Sequence, residues 1–93
     1  EEIDLTAGDC DLLYLADANT KKVWIYDALQ GQLEPVYKIP KDLLKKPTNI
    51  AYSRSIIYIA DEKSGTETIL YAFGRNSWRP RGEANLGEHK VID

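Results

Sequence analysis

The sequence predicts an all-β fold of two four-stranded antiparallel propeller blades, which form part of a six-bladed β-propeller or assemble into one. The first observation is a repeat, since Leu12–Asp17 reads LLYLAD and Ile56–Asp61 reads IIYIAD. The second is that strand-like runs and turn residues alternate four times in each copy. The third is the period of about 45 residues, because four-stranded units that repeat roughly every 40–50 residues are typical of propeller blades.

The strand-like runs of the two copies correspond in order. The first copy has them near residues 3–7, 12–17, 22–27 and 33–39. The second copy has them near residues 49–53, 56–61, 67–73 and 78–84. If the second copy carries one inserted residue, residues 24–26 align with 69–71, and Pro35 aligns with Pro80. Because proline lacks the amide that a central strand needs, the fourth strand of each copy is expected at an edge.

The repeat divides the chain into four segments. They are a first blade at 1–40, an inter-blade linker at 41–46, a second blade at 47–84, and a tail or the start of a further strand at 85–93. Blades bury their broad faces only against other blades, and stable rings hold roughly four to eight of them. The expected partners are therefore copies of this chain or the other blades of a longer protein. Three copies would supply six blades.

Composition and charge argue against several classes of function. With 43% hydrophobic and 29% charged residues, the chain is typical of a soluble globular domain. A net charge of −3 argues against a nucleic-acid partner, and no apolar run approaches the ~20 residues of a membrane span. Cys10 is the only cysteine, so it can form a disulfide only with a second chain, and its two flanking aspartates disfavour a catalytic thiolate. The single histidine, His89, has no catalytic partner in the pattern.

Two aspartates recur at the end of the repeated strand. Asp17 and Asp61 lie where a ligand or a metal could be met, and the alternative is that each accepts hydrogen bonds from the turn that follows it. Asn19 and Lys63 lie in those two turns and are candidate ligand-binding residues together with the aspartates.

Asp4 and Asn49 pair across the repeat in the first strand of each blade, the strand nearest the axis. Rings of such oxygen ligands could hold Ca²⁺ in a central channel, so both are candidate metal ligands, and the alternative is a polar channel lining. Asn49 is also a candidate for binding a small ligand. Trp24 and Trp78 could stack against a sugar or belong to the core between blades.

Several stretches carry a resemblance to known families. Gly8–Asp11 leading into Leu13–Leu15, followed by Tyr37–Pro40 and Ser77–Arg79, resembles the insect royal jelly and yellow family over about residues 8–80. More distantly, Pro47–Asp61 resembles the NHL-repeat and gluconolactonase-type six-bladed propellers. The first resemblance implies a secreted and mostly non-enzymatic propeller, and some salivary members bind small amines in the central cavity.

We therefore expect a non-catalytic, secreted β-propeller module that binds a small ligand or a protein partner through the propeller axis or the blade edges. One alternative is a metal-dependent, lactonase-like hydrolase with Ca²⁺ as its cofactor, although the metal-binding asparagine of that group falls at Thr48 here. Another is a self-assembling propeller lectin or a structural assembly protein. The royal jelly family also provides a disulfide partner for the cysteine that matches Cys10, and this chain has none.

Overall fold

The computed structural model describes residues 3–88, and the regular secondary structure in that range is all β-strand. The strands are β1 Ile3–Ala7, β2 Leu12–Asp17, β3 Lys22–Asp27, β4 Gln32–Pro35, β5 Pro47–Ser53, β6 Ile56–Ser64, β7 Glu67–Gly74 and β8 Pro80–Gly87. Strands β1–β4 form one antiparallel sheet in chain order, called sheet 1, and β5–β8 form a second, called sheet 2. The predicted all-β fold with two four-stranded antiparallel sheets is confirmed, and the assembly of such sheets into a propeller stays a prediction.

The fourth strand of each sheet differs in extent from its predicted position. Strand β4 ends at Pro35 rather than at residue 39, and the following residues, 36–46, connect sheet 1 to sheet 2. Strand β8 continues to Gly87 rather than ending at residue 84. His89 and most of the predicted tail strand lie outside the described residues. Over residues 3–88 there is no helix of the length and apolarity needed to cross a membrane.

The pairing register corrects the predicted alignment of the two copies. Leu15 pairs with Trp24, and the equivalent Ile59 pairs with Tyr71, so Trp24 corresponds to Tyr71 and not to Ile69. The offset is 44 residues in the second strand and 47 in the third, so the second hairpin is longer by three residues instead of one. Because side chains alternate with a period of two, this error of two residues leaves the predicted faces unchanged.

The two sheets pack face to face through a core with aromatic side chains from both. Tyr14 of β2 stacks on Tyr52 of β5 with ring centroids 5.5 Å apart, and it meets Trp78 edge-on at 5.9 Å. Phe73 and Ile59 are fully buried in the same cluster. Complete burial of a side chain of this size contributes roughly 1.5–3 kcal/mol relative to exposure, so one face of sheet 1 is firmly attached to sheet 2.

Polar contacts fix the register between the sheets. On the first strands, the Asp4 carboxylate accepts a hydrogen bond from the Ile50 amide at 2.8 Å. In the turn after β1, Asp9 accepts a hydrogen bond from the Tyr52 hydroxyl at 2.7 Å and forms an ion pair with Arg75. Strand β5 packs beside β1 and β2, so the sheets come closest at their first strands.

Candidate functional site

One face of sheet 1 is apolar and open. Strand alternation directs every second side chain away from sheet 2, and direct cross-strand partners share that side. The apolar members, called the outward face of sheet 1, are Ile3, Leu5, Ala7, Leu13, Leu15, Trp24, Tyr26, Leu33 and Pro35. None of them is buried, and Leu5, Leu33 and Ile3 are 56%, 54% and 50% exposed.

These side chains form continuous rows rather than scattered contacts. The row across β1–β3 is Leu5, Leu15 and Trp24. The row across β2–β4 is Leu13, Tyr26 and Leu33. Single exposed apolar residues are ordinary, but a contiguous apolar patch across four strands marks an interaction surface.

The opposite side of the sheet pair carries a second open face, whose side chains are mostly smaller. The apolar side chains of sheet 2 that point away from sheet 1 are Ala51, Ile56, Tyr58, Ala60, Leu70, Ala72 and Ala84. We call this set the outward face of sheet 2. Four of its seven members are alanines, of which Ala60 is buried, and Tyr58, 37% exposed, has the largest side chain in the set. This face therefore combines small alanines with three larger apolar side chains, of which only Tyr58 is aromatic.

The two repeated aspartates have different environments. Asp61 is fully buried, and its carboxylate accepts hydrogen bonds from the Lys45 amide at 3.0 Å and the Lys46 amide at 2.7 Å. It also forms an ion pair with the Lys63 ammonium at 2.7 Å. Asp61 thus anchors the connection between the sheets, rather than the turn that follows it.

The Lys63 side chain is held in place from three sides. Its ammonium donates to the Leu43 carbonyl oxygen, pairs with Asp61 and lies 5.0 Å from the centroid of the Tyr71 ring. Burial opposes the charged ammonium, but the hydrogen bonds to Asp61 and Tyr71 outweigh it, so the pKa of Lys63 is raised. Lys63 therefore stays charged while it stabilises the buried carboxylate.

Asp17 closes its own turn, as one of the sequence-based interpretations expected. Its carboxylate accepts hydrogen bonds from the Asn19 amide at 3.0 Å and the Thr20 hydroxyl at 2.8 Å. An aspartate that bonds the backbone two residues later is a common turn element, and it accounts for the residue at this position. The Asn19 side chain is left exposed beside the turn.

A groove of about 560 Å³ brings Asn19 and Lys63 together between the two sheets. Its charged lining residues are Lys21, Lys45, Lys46, Lys63 and Glu62. The excess of ammonium groups makes the groove basic. Lys63 is already paired with Asp61, and Lys46 lies 3.8 Å from the Glu62 carboxylate, so part of this charge is neutralised within the chain.

The candidate metal ligands Asp4 and Asn49 each accept a hydrogen bond within the chain, the first between the two sheets and the second from the preceding residue. Asp4 accepts from the Ile50 amide, and the Asn49 side-chain oxygen accepts from the Thr48 hydroxyl at 2.9 Å. Among residues 3–88, no three His, Cys, Asp or Glu side chains are grouped so as to hold a metal ion. Calcium binding stays a prediction.

The two tryptophans lie in different places. Trp78 is 4% exposed and packs in the core against Tyr14 and Phe73. Trp24 is half-buried on the outward face of sheet 1, where its indole N–H donates to the Thr20 hydroxyl at 3.3 Å. Of the two tryptophans, Trp24 is the one that belongs to an open surface.

The sequence predicts that broad apolar faces of the blades stay open without further blades, and it names Trp24, but it did not single out Ile3, Leu5 and Leu33 of the first and fourth strands. The signal was present in β1, where Ile3 and Leu5 alternate with polar residues although the strand is short. Leu33 carries the same signal in β4. Read together, these alternations extend the apolar face to the first and fourth strands.

A scan against protein-family models, a search of curated proteins and a search of solved structures each found no match for this chain. The resemblance to the royal jelly and yellow family therefore stays a prediction. The same holds for secretion and for the hydrolase and lectin alternatives.

Proposed function

We propose that this chain is a non-catalytic interaction module of the propeller type, which binds a protein partner through the outward face of sheet 1. The observation that carries the proposal is the continuous apolar patch of that face, in which no member is buried. Patches of this kind on a folded chain mark protein interaction surfaces. The secreted location implied by the family resemblance belongs to the same proposal.

The shape of the patch favours a protein over a small molecule. Small-molecule sites are concave pockets that enclose most of the ligand, whereas this face is a broad sheet surface with alternating large side chains. A second sheet is the natural complement, because sheets pack face to face about 10 Å apart with interdigitating side chains. The partner is thus expected to present an apolar sheet face of similar extent.

The experiment compares Leu5→Lys with the control Gln30→Lys, which adds the same charge in the exposed turn between β3 and β4. Leu5 is 56% exposed, so its replacement should leave the fold intact, as circular dichroism would verify. The readouts are the mass in solution and the fluorescence of an apolar dye such as anilinonaphthalene sulfonate. We expect Leu5→Lys to lower self-association or dye binding while Gln30→Lys matches the parent chain. Identical behaviour of all three proteins would contradict the proposal.

A further inference from the structure

We infer that the outward face of sheet 1 binds the outward face of sheet 2 on a second copy of this chain, head to tail. The inference rests on the proposed function and names the partner. It follows from the internal repeat, because the contact between sheets 1 and 2 already shows how two such sheets join.

The register makes the faces equivalent in pairs. Leu5, Leu15 and Trp24 on the open side of sheet 1 occupy the positions of Ile50, Ile59 and Tyr71 in sheet 2. Those three residues of sheet 2 are buried in the core, on the side that faces sheet 1. The outward face of sheet 1 is therefore the repeat equivalent of a face that is already covered by a sheet.

The same equivalence identifies the surface that should cover the outward face of sheet 1. In sheet 1 the covering side carries Tyr14, Ala16 and Val23, all buried against sheet 2. Their equivalents in sheet 2 are Tyr58, Ala60 and Leu70, which lie on the outward face of sheet 2. The outward face of sheet 2 is therefore the expected partner of the outward face of sheet 1, and the two faces lie on opposite sides of the chain.

Side-chain sizes are complementary where the repeat places the two copies in contact. Within the chain, Tyr14 stacks on Tyr52 at 5.5 Å. Between copies, Tyr58 replaces Tyr14 and Ala7 replaces Tyr52, so a bulky ring meets a small side chain. The alanines around Tyr58 leave room for the leucines of the outward face of sheet 1, in the way that large and small residues alternate in packed cores.

One polar contact also has a counterpart. Within the chain, Asp4 accepts from the Ile50 amide, and the equivalent pair between copies is Asn49 with the Leu5 amide. The ion pair of Asp9 has no counterpart, because Arg54 occupies the corresponding turn of sheet 2. The contact between copies is therefore weaker than the contact within the chain, and association should depend on concentration.

Because two different faces meet, the contact is heterologous, and it closes into a ring or continues as a filament. Rings of propeller sheets hold roughly four to eight sheets, so two, three or four copies of a two-sheet chain would close one. The masses to look for are small multiples of the 10.5 kDa monomer.

The test uses two chains, each blocked on one face. Leu5→Lys blocks the outward face of sheet 1, and Ala51→Lys, at an exposed position, blocks the outward face of sheet 2. Masses are measured by light scattering on a size-exclusion column, in reducing buffer because Cys10 is an exposed thiol. We expect the parent chain to form multiples of the monomer, each blocked chain to be monomeric, and their equimolar mixture to form a dimer of twice the monomer mass.

Each other outcome overturns the inference in a distinguishable way. If Ala51→Lys alone still dimerises, the sheet 1 faces pair with each other, and head-to-tail docking is wrong while the proposed function stands. If the parent chain is monomeric at every concentration but binds the apolar dye in a Leu5-dependent way, the partner is not a second copy, and the protein-binding face again stands. If there is neither association nor Leu5-dependent dye binding, the inference and the proposed function both fail.

Discussion

Replacing each repeated aspartate by alanine should have very different effects on stability. Asp61→Ala removes a fully buried carboxylate that accepts bonds from two backbone amides and pairs with Lys63. Asp17→Ala removes two hydrogen bonds within a turn at the protein surface. The two positions are equivalent in the repeat, so the comparison separates the effect of the environment from the effect of the motif.

The expected loss in the free energy of unfolding depends on which charged or polar groups each substitution leaves without a partner. Breaking a buried ion pair by removing one member costs about 3–5 kcal/mol, because the other charge stays in a poorly solvated site. We expect Asp61→Ala to lower the free energy of unfolding by that amount. At Asp17 water can replace the lost acceptor, so the expected cost is about 1 kcal/mol. The double variant Asp61→Ala with Lys63→Met should lose less than the sum of the single variants, because no unpaired ammonium remains.

The assay is urea denaturation followed by tryptophan fluorescence, at one fixed protein concentration because self-association would add to the apparent stability. Equal losses for Asp61→Ala and Asp17→Ala would refute the reasoning, since the buried network around Asp61 would then contribute no more than an exposed turn. Strict additivity in the double variant would show that Lys63 and Asp61 do not interact energetically.

Further predictions concern stability. A methyl group at Gly8 would overlap the Tyr14 ring, so Gly8→Ala should lower the free energy of unfolding by about 1–3 kcal/mol. Gly65 faces open space, so Gly65→Ala should be near neutral. The reverse order in denaturation would contradict the packing described for Tyr14. Tyr52→Phe removes the hydroxyl that donates to the β1–β2 turn and should cost about 0.5–1.5 kcal/mol in the same assay. The pKa of Tyr14 is raised by burial and by the nearby Tyr52 hydroxyl, and the pKa of Lys63 is raised as well, so the folded chain holds both protons more tightly than the unfolded chain. The stabilisation that comes from these two shifts should be fully present below about pH 10 and should be lost as the pH rises further. Tyr14→Phe or Lys63→Met should each flatten that decline, and an unchanged alkaline profile in both variants would argue against this origin.

Much of the architecture could be predicted because the repeat and the alternation of side chains are both visible directly in the order of the residues. The predicted correspondence of Asp4 with Asn49 is confirmed by the register, because Asp4 lies opposite Ala16 and Asn49 lies opposite the equivalent Ala60. The length of the second hairpin was not readable, since β6 continues past Asp61 to Ser64 with a register shift that leaves no mark in the hydrophobic pattern. The longer hairpin also means that Pro35 and Pro80 are not equivalent in the repeat. Pro35 lies opposite Trp24 in the first copy, whereas Pro80 lies opposite Phe73, two residues beyond the equivalent of Trp24, in the second.

The candidate site was harder to predict than the fold because it depends on contacts between distant segments. Asp17 and Asp61 have the same local sequence context, and only the path of residues 36–46 makes one of them a buried anchor. For Trp78 the sequence left a stacking role and a core position both open, and the structure shows that its ring is buried in the core beside the tight turn before β8. Burial of this kind is a tertiary property, which local propensity does not encode.

The most direct test of head-to-tail docking is a site-specific photo-cross-link. The photoreactive residue benzoylphenylalanine replaces Tyr58, whose ring is 37% exposed on the outward face of sheet 2. After irradiation at a concentration where the chain associates, the linked peptides are identified by mass spectrometry. We expect a link between chains that ends in β1 or the turn after it, near Ala7. Links that end on β5–β8 of the second chain, or the absence of any link between chains, would contradict it.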